Sequence, residues 1–278
     1  MKICNSKESG CENFEMADVN LTRKVNAKKL AEGYTATKRA MEMTSIALFA
    51  VLWTLHFVGI ARYFVHHGPP ITTSSALASL ISAFLGFVLA DFVSGLVHWG
   101  FDTWGSPSTP VVGSFIRSFR EHHVDQMAIT RHDIIETNGD SCLPVVPVLA
   151  AVYFFAPNVN GSLPGVVGYL GHPALRVFLV SLSIAVALTN QFHKFSHQPK
   201  LPGVVSFLMR NRLILSSQAH RVHHSGEFEK HYCITTGWLN VPLDYIGFWR
   251  RAEAFITATT GAIPRDNDKQ VACFESAF

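Results

Sequence analysis

The chain has 278 residues, of which 48% are hydrophobic and 15% charged, against a charged fraction of about 25% in soluble domains. A positive mean hydropathy of +0.21 points to a membrane protein, and a formal charge of only +3, with Lys and Arg spread over loops and tails, speaks against nucleic acid as a partner. Five cysteines, Cys4, Cys11, Cys142, Cys233 and Cys273, are widely spaced and contain no CxxC, so they signal neither a disulfide framework nor a thiolate zinc site.

Residues 1–40 read as a mobile cytosolic tail. No apolar core follows its early charges, which argues against a cleavable signal peptide. The basic run Arg23, Lys24, Lys28, Lys29, Lys38 and Arg39 precedes the first apolar segment and predicts a cytosolic N-terminus. The uncharged run from Thr44 to Ala61 is long enough for one crossing at about 20 residues. A second, 71–90, continues through Asp91 to Trp104, and the two form a helical hairpin. A third apolar region begins at Cys142, is broken at 157–172 and resumes from Pro173 to Gln191. It gives two crossings, or a re-entrant hairpin in its first half, which Pro144 and Pro147 interrupt. Either choice leaves an even number of crossings between the His-rich stretches 98–132 and 193–224, so both stretches share the cytosolic face. The expected architecture is an all-α polytopic membrane helix bundle with about four transmembrane helices. It covers residues 41–260, carries a cytosolic His-rich di-metal lobe, and ends in a polar tail at 261–278.

Nine of the 14 histidines lie in the two stretches: His98, His122, His123, His132, His193, His197, His220, His223 and His224. HKFSH puts His193 and His197 at i and i+4, and HRVHH puts His220, His223 and His224 at i, i+3 and i+4, spacings that align imidazoles on one helical face. Asp91, Gly95, His98 and Asp102 follow at intervals of four, three and four. Asp102 is thereby a candidate ligand or hydrogen-bond partner of a ligating imidazole, a contact that fixes the tautomer. Asp91 reads equally as a polar contact within the bundle. Glu121 and Asp133 flank the loop histidines, Asn190 precedes His193 by three, and His231 follows HRVHH; these four are further candidates for the same supporting role. The remaining histidines, His56, His66, His67 and His172, carry no ligand spacing. Nine nitrogen donors exceed what one zinc ion uses, so the count favours two metals. Imidazole suits several, iron among them.

The stretches LVHWGFDTWGSP, FIRSFREHHVDQMAITRHDIIETNGDSC, TNQFHKFSH, HRVHH and YCITTGWLNVPLDYIGFWRR resemble the plasmanylethanolamine desaturases, with the plant trans-3 acyl-lipid desaturases as relatives. The resemblance covers about 90 to 280 well and the first two apolar runs loosely. It implies an endoplasmic reticulum enzyme, multi-pass with both termini cytosolic, that desaturates the sn-1 O-alkyl chain of an ether phospholipid next to the ether oxygen. The implied cofactors are two Fe ions, with O2 as co-substrate and electrons from NAD(P)H through cytochrome b5 and its reductase. All nine clustered histidines match the family's motif positions. His231 does not: the family places a histidine a few residues earlier, where this chain reads GEFEK.

A trans-3 acyl-lipid desaturase or a lipid hydroxylase would use the same ligands, and a non-catalytic zinc-binding membrane adaptor is the remote alternative. Arg117, Arg120 and Arg131 are candidates for the lipid phosphate, which Arg recognises in a bidentate way. Arg210, Arg212, Arg221, Arg250 and Arg251 put positive charge where an acidic electron donor would dock.

Overall fold

The computed structural model describes residues 24–66, 72–155, 173–225 and 228–265. Expectations for residues 1–23, His67, the connection 157–172 with His172, and residues 266–278 lie outside them. Among the described residues every regular element is a helix. A helix over residues 24–32, α1, precedes α2 (Ala36–His66), α3 (Thr73–Thr103), α4 (Gly113–Val124), α5 (Ala128–Arg131), α6 (Ile134–Cys142) and α7 (Val145–Phe155). Then come α8 (Pro173–Ala187), α9 (Thr189–His197), α10 (Gly203–Arg210), α11 (Ser217–His224), α12 (Asn240–Tyr245) and α13 (Phe248–Thr260). Most of residues 24–40, expected as part of a mobile tail, is therefore helical. The physical reason is ionic: Lys38 is buried, bonded to Asp140 and 3.4 Å from Glu42.

Apolar runs fold as helices because hydrocarbon offers the backbone no partner. By length and composition, α2 (over Ala36–Gly59) and α3 qualify as membrane spans, and α8 with α9 makes a third if this pair, bent by 40°, acts as one. Among the described residues α7 is a shorter apolar helix: its 11 residues rise about 16 Å against a hydrocarbon core of roughly 30 Å, and the chain that follows Phe155 lies outside the described residues. α3 opens on a capping box, in which Thr72 and Ser75 satisfy each other's backbone amides. Its 31 residues rise about 46 Å, so it outreaches the membrane.

α3 lies along α8 at backbone contact distance. A Cβ on Gly86 would sit 2.8 Å from the Phe178 carbonyl and 2.9 Å from the Leu182 nitrogen. α2 packs on α7 through Leu52, Val145 and Leu149, and a second core joins Trp99 of α3 to Tyr232, Cys233 and Trp249. Between these cores Asp91, fully buried, accepts three backbone N–H bonds: from Thr236 at 2.7 Å and Gly237 at 2.8 Å on one oxygen, and from Leu239 at 3.0 Å on the other. Asp91 thus holds the returning C-terminal segment against α3. The first residues of the expected C-terminal tail are docked too. The Arg265 amide donates to the Thr103 carbonyl, and its guanidinium donates to those of Phe101 and Gly105, capping the last turn of α3.

An Asp91→Ala substitution strands three amides, each worth about 1–3 kcal/mol when buried without a partner. The expected result is a loss of about 3 kcal/mol or more, read as a lower melting temperature in detergent; an unchanged melting curve would rule out the clamp.

Candidate metal centre

Four helices converge on one buried place, and the helical period decides which side chain goes where. His98 and Asp102 come from α3, His122 and His123 from α4, His193 and His197 from α9, and His220, His223 and His224 from α11. They form two groups, each with its ligand atoms within 4.8 Å of one another: His122, His193, His197, His220 and His224 in the first, and His98, Asp102, His123 and His223 in the second. Every i, i+4 pair stays within one group. The adjacent pairs His122–His123 and His223–His224 are split between them, because successive residues point about 100° apart around a helix.

In the first group the Nε2 atoms approach closely: His122 to His224 at 3.0 Å, His224 to His220 at 2.8 Å, and His193 to His220 at 2.8 Å. Two imidazole nitrogens bound at right angles to one ion at about 2.1 Å would lie about 3.0 Å apart. In the second group the tautomers are set by backbone carbonyls. His98 Nδ1 donates to Tyr232 at 3.0 Å and His223 Nδ1 to Lys230 at 2.9 Å, which leaves both Nε2 lone pairs turned inward. Asp102 lies 3.2 Å from His98 Nε2, 3.5 Å from His123 Nε2 and 3.7 Å from His223 Nε2. Phe228 stacks on His123 with ring centres 4.3 Å apart. Burial, with neighbouring imidazoles adding to it, holds His122, His220 and His224 well below the ordinary imidazole range; His123 and His223 are lowered in the same way. Neutral imidazoles are the form that binds a metal. Buried lone pairs facing one another, with a carboxylate and no thiolate among them, fit two divalent ions.

The other candidates have different occupations. His132 lies outside both groups, its Nε2 3.6 Å from Glu136 and 4.0 Å from Glu121. Burial, then the charges of Arg117, Lys194 and Arg131, bring its pKa down to about 4, while burial and the neighbouring Glu121 push Glu136 up to about 7. Glu121 bonds Arg117 at 2.7 Å, and Arg117 also donates to the Leu30 carbonyl at 2.8 Å; buried and engaged, Arg117 is not positioned for a lipid phosphate. Arg131 pairs with Asp125, and Arg120 is half-buried on α4. Asp133 caps α6, accepting from the Ile135 and Glu136 amides, and pairs with Arg39 at 2.7 Å, which removes it from the metal groups. His231 bonds the Ala219 carbonyl at 3.1 Å and faces Asp244 at 3.3 Å, bracing α11 from outside. Reading by side chain missed the Lys230 and Tyr232 carbonyls, which no residue type announces.

Purified protein is expected to carry two metal ions per chain. Asp102→Ala or His223→Ala should bring the content toward one, and His132→Ala should leave it at two; loss of metal from His132→Ala would return that residue to the ligand set. Histidines with a folded pKa below the unfolded value of about 6.5 bind fewer protons folded than unfolded, so stability is lost as pH falls from there toward the folded value. Chelator-treated protein should therefore lose thermal stability between pH 6.5 and about 4, the folded value for His132. A flat profile over that range would contradict burial of neutral imidazoles.

Residues 87–267, well over half of the chain, match the lipid desaturase domain family. The plasmanylethanolamine desaturase of Myxococcus xanthus is 44% identical over 247 residues, 88% of this chain and 82% of that protein. Plasmanylethanolamine desaturase 1 of Mus musculus is 43% identical over 248 residues, 87% of this chain and 86% of its own length. The chloroplastic fatty acid desaturase 4 of Arabidopsis thaliana is 30% identical over 191 residues, 68% of this chain and 55% of that protein. No solved structure matches the chain. With this similarity and a bundle that gathers its imidazoles beside apolar spans, the chain is an oxidoreductase of the membrane and belongs to the lipid desaturase family.

Proposed function

We propose that this enzyme introduces the vinyl-ether double bond into the sn-1 O-alkyl chain of plasmanylethanolamine, forming plasmalogen, at the endoplasmic reticulum membrane with both termini cytosolic. The observation that carries the reading is a cavity of about 240 Å³, walled by apolar residues of α3, α7 and α8 and reaching α4 and α9 beside the histidines. Such a volume is just below the range of ordinary ligand sites, narrow enough for a single chain, and an alkyl chain is the ligand that apolar walls favour.

α3 serves both sides. Val93, Val97 and Phe101 line the cavity, and His98 and Asp102 face the second metal group. A chain lying in the cavity is thus held one helix radius from the ligands. The cavity walls exclude water from the reacting carbons, and the buried imidazoles, neutral at physiological pH, are poised to bind rather than to exchange protons. Two iron ions held there would supply the oxidising power that no side chain has. Over the whole reaction a CH2–CH2 unit, O2, two electrons and two protons become CH=CH and two waters.

The electrons come from NAD(P)H through cytochrome b5 and its reductase in this reading. Arg210, Arg212, Arg221 and Arg251 are exposed and would suit an acidic donor; Arg250, also exposed, is shared with Glu253 at 2.6 Å and Glu229 at 3.5 Å.

Expression in a desaturase-null cell tests the reading, with ether lipids followed by mass spectrometry. Acid-labile vinyl ethers should appear with wild-type protein and vanish with His223→Ala. A trans-unsaturated acyl chain, a hydroxylated lipid or no new lipid would each overturn it.

A further inference from the structure

The apolar cavity meets a smaller pocket that contains His122, His132 and His193, and two side chains line both: Phe119 and Asn190. Asn190 stands three residues before His193 and seven before His197 on α9, hence on the same helical face as two members of the first metal group. Among the described residues the Asn190 carboxamide makes no hydrogen bond. Three other polar side chains around the cavity, Ser94, Ser183 and Thr189, are occupied. Ser94 donates to the Asp91 carbonyl at 2.7 Å and accepts from the Ile234 amide at 3.0 Å. Ser183 donates to the Val180 carbonyl, and Thr189 is bonded to the Ala185 carbonyl and to Thr235.

Across from α9, tied to it by the bond from Asn138 to Gln191 at 3.2 Å, α6 contributes Thr137 to the histidine pocket. Thr137 is 2% exposed, and its hydroxyl is buried without a hydrogen-bond partner. A part-exposed carboxamide on Asn190 and a fully buried hydroxyl on Thr137 therefore stand beside the ligands, and the buried one is unfavourable unless a bound molecule accepts from it.

We propose that Asn190, assisted by Thr137, is a positioning residue that donates hydrogen bonds to the ether oxygen of the substrate and so selects which carbon pair is dehydrogenated. The proposal rests on the alkyl-ether reading above. An ether oxygen only accepts hydrogen bonds, and carbon 1 of the chain is bonded to it. Oxygen held at the junction puts carbons 1 and 2 beside His122 and His193 and the rest of the chain in the apolar cavity. Sliding by one methylene would set a CH2 against the carboxamide. A site built to hydrogen-bond a substrate atom rejects such a register more strongly than an apolar wall does.

The experiment uses the full-length, metal-loaded enzyme with a 1-O-alkyl phospholipid and its analogue in which CH2 replaces the ether oxygen. Wild-type protein should prefer the ether lipid. In Asn190→Leu the kcat/KM for the ether lipid should fall about fivefold, the worth of one neutral hydrogen bond. The preference over the analogue should shrink by the same factor, and double bonds should appear beyond carbon 1, with metal content unchanged. Thr137→Val should move the preference in the same direction. If Asn190→Leu does not fold, Asn190→Ser, which keeps a donor, should retain the preference and Asn190→Ala should lose it. Loss of metal from a folded Asn190 variant, or full preference with every double bond at carbon 1, overturns the proposal while leaving the desaturase reading intact. Wild-type protein that leaves the ether lipid untouched overturns both.

Discussion

Nitrogen lone pairs do not gather in a buried place unaided. Eight imidazoles and one carboxylate drawn into two groups, with Nε2 atoms 2.8 to 3.0 Å apart in the first, repel or leave one another unsatisfied until cations occupy their centre, and the rest of the chain is arranged around that requirement. α3 must outreach the membrane to deliver His98 and Asp102. α9 must bend away from α8 to aim His193 and His197 at α11. Asp91 must hold the returning segment so that the Lys230 and Tyr232 carbonyls meet His223 and His98. Each of these is a geometric debt to the same cluster.

The helical period carries much of this in the sequence itself. His193 with His197, His220 with His224, and His98 with Asp102 are all spaced i, i+4, and each pair lands in one group. The same period, applied to Arg117 and Glu121 or to His132 and Glu136, foretells the contacts that keep Arg117 and His132 from the roles expected of them. Asp133 followed three residues later by Glu136 has the spacing of a helix start, and it became one. What the sequence withheld is the work of backbone. A carbonyl acceptor looks alike at every residue, so Lys230 and Tyr232 could be found only once the chain was folded. Crossing number was also hard to read, because an 11-residue apolar helix and half of a longer one have the same composition.

Chain cavity and metal groups are coupled through shared elements rather than through a linking loop. α3 turns one face to the cavity and another to the second group, and α9 presents Asn190 to the cavity mouth and His193 to the first. Substitutions in the cavity wall that shift α3 sideways therefore move His98 as well.

The length of α3 sets an altitude. His98 stands twenty-five residues above Thr73, a rise of roughly 37 Å, whereas the hydrocarbon layer is only about 30 Å thick. A helix that began at one surface and stood along the membrane normal would carry His98 past the hydrocarbon on the other side, to the depth of the glycerol backbones.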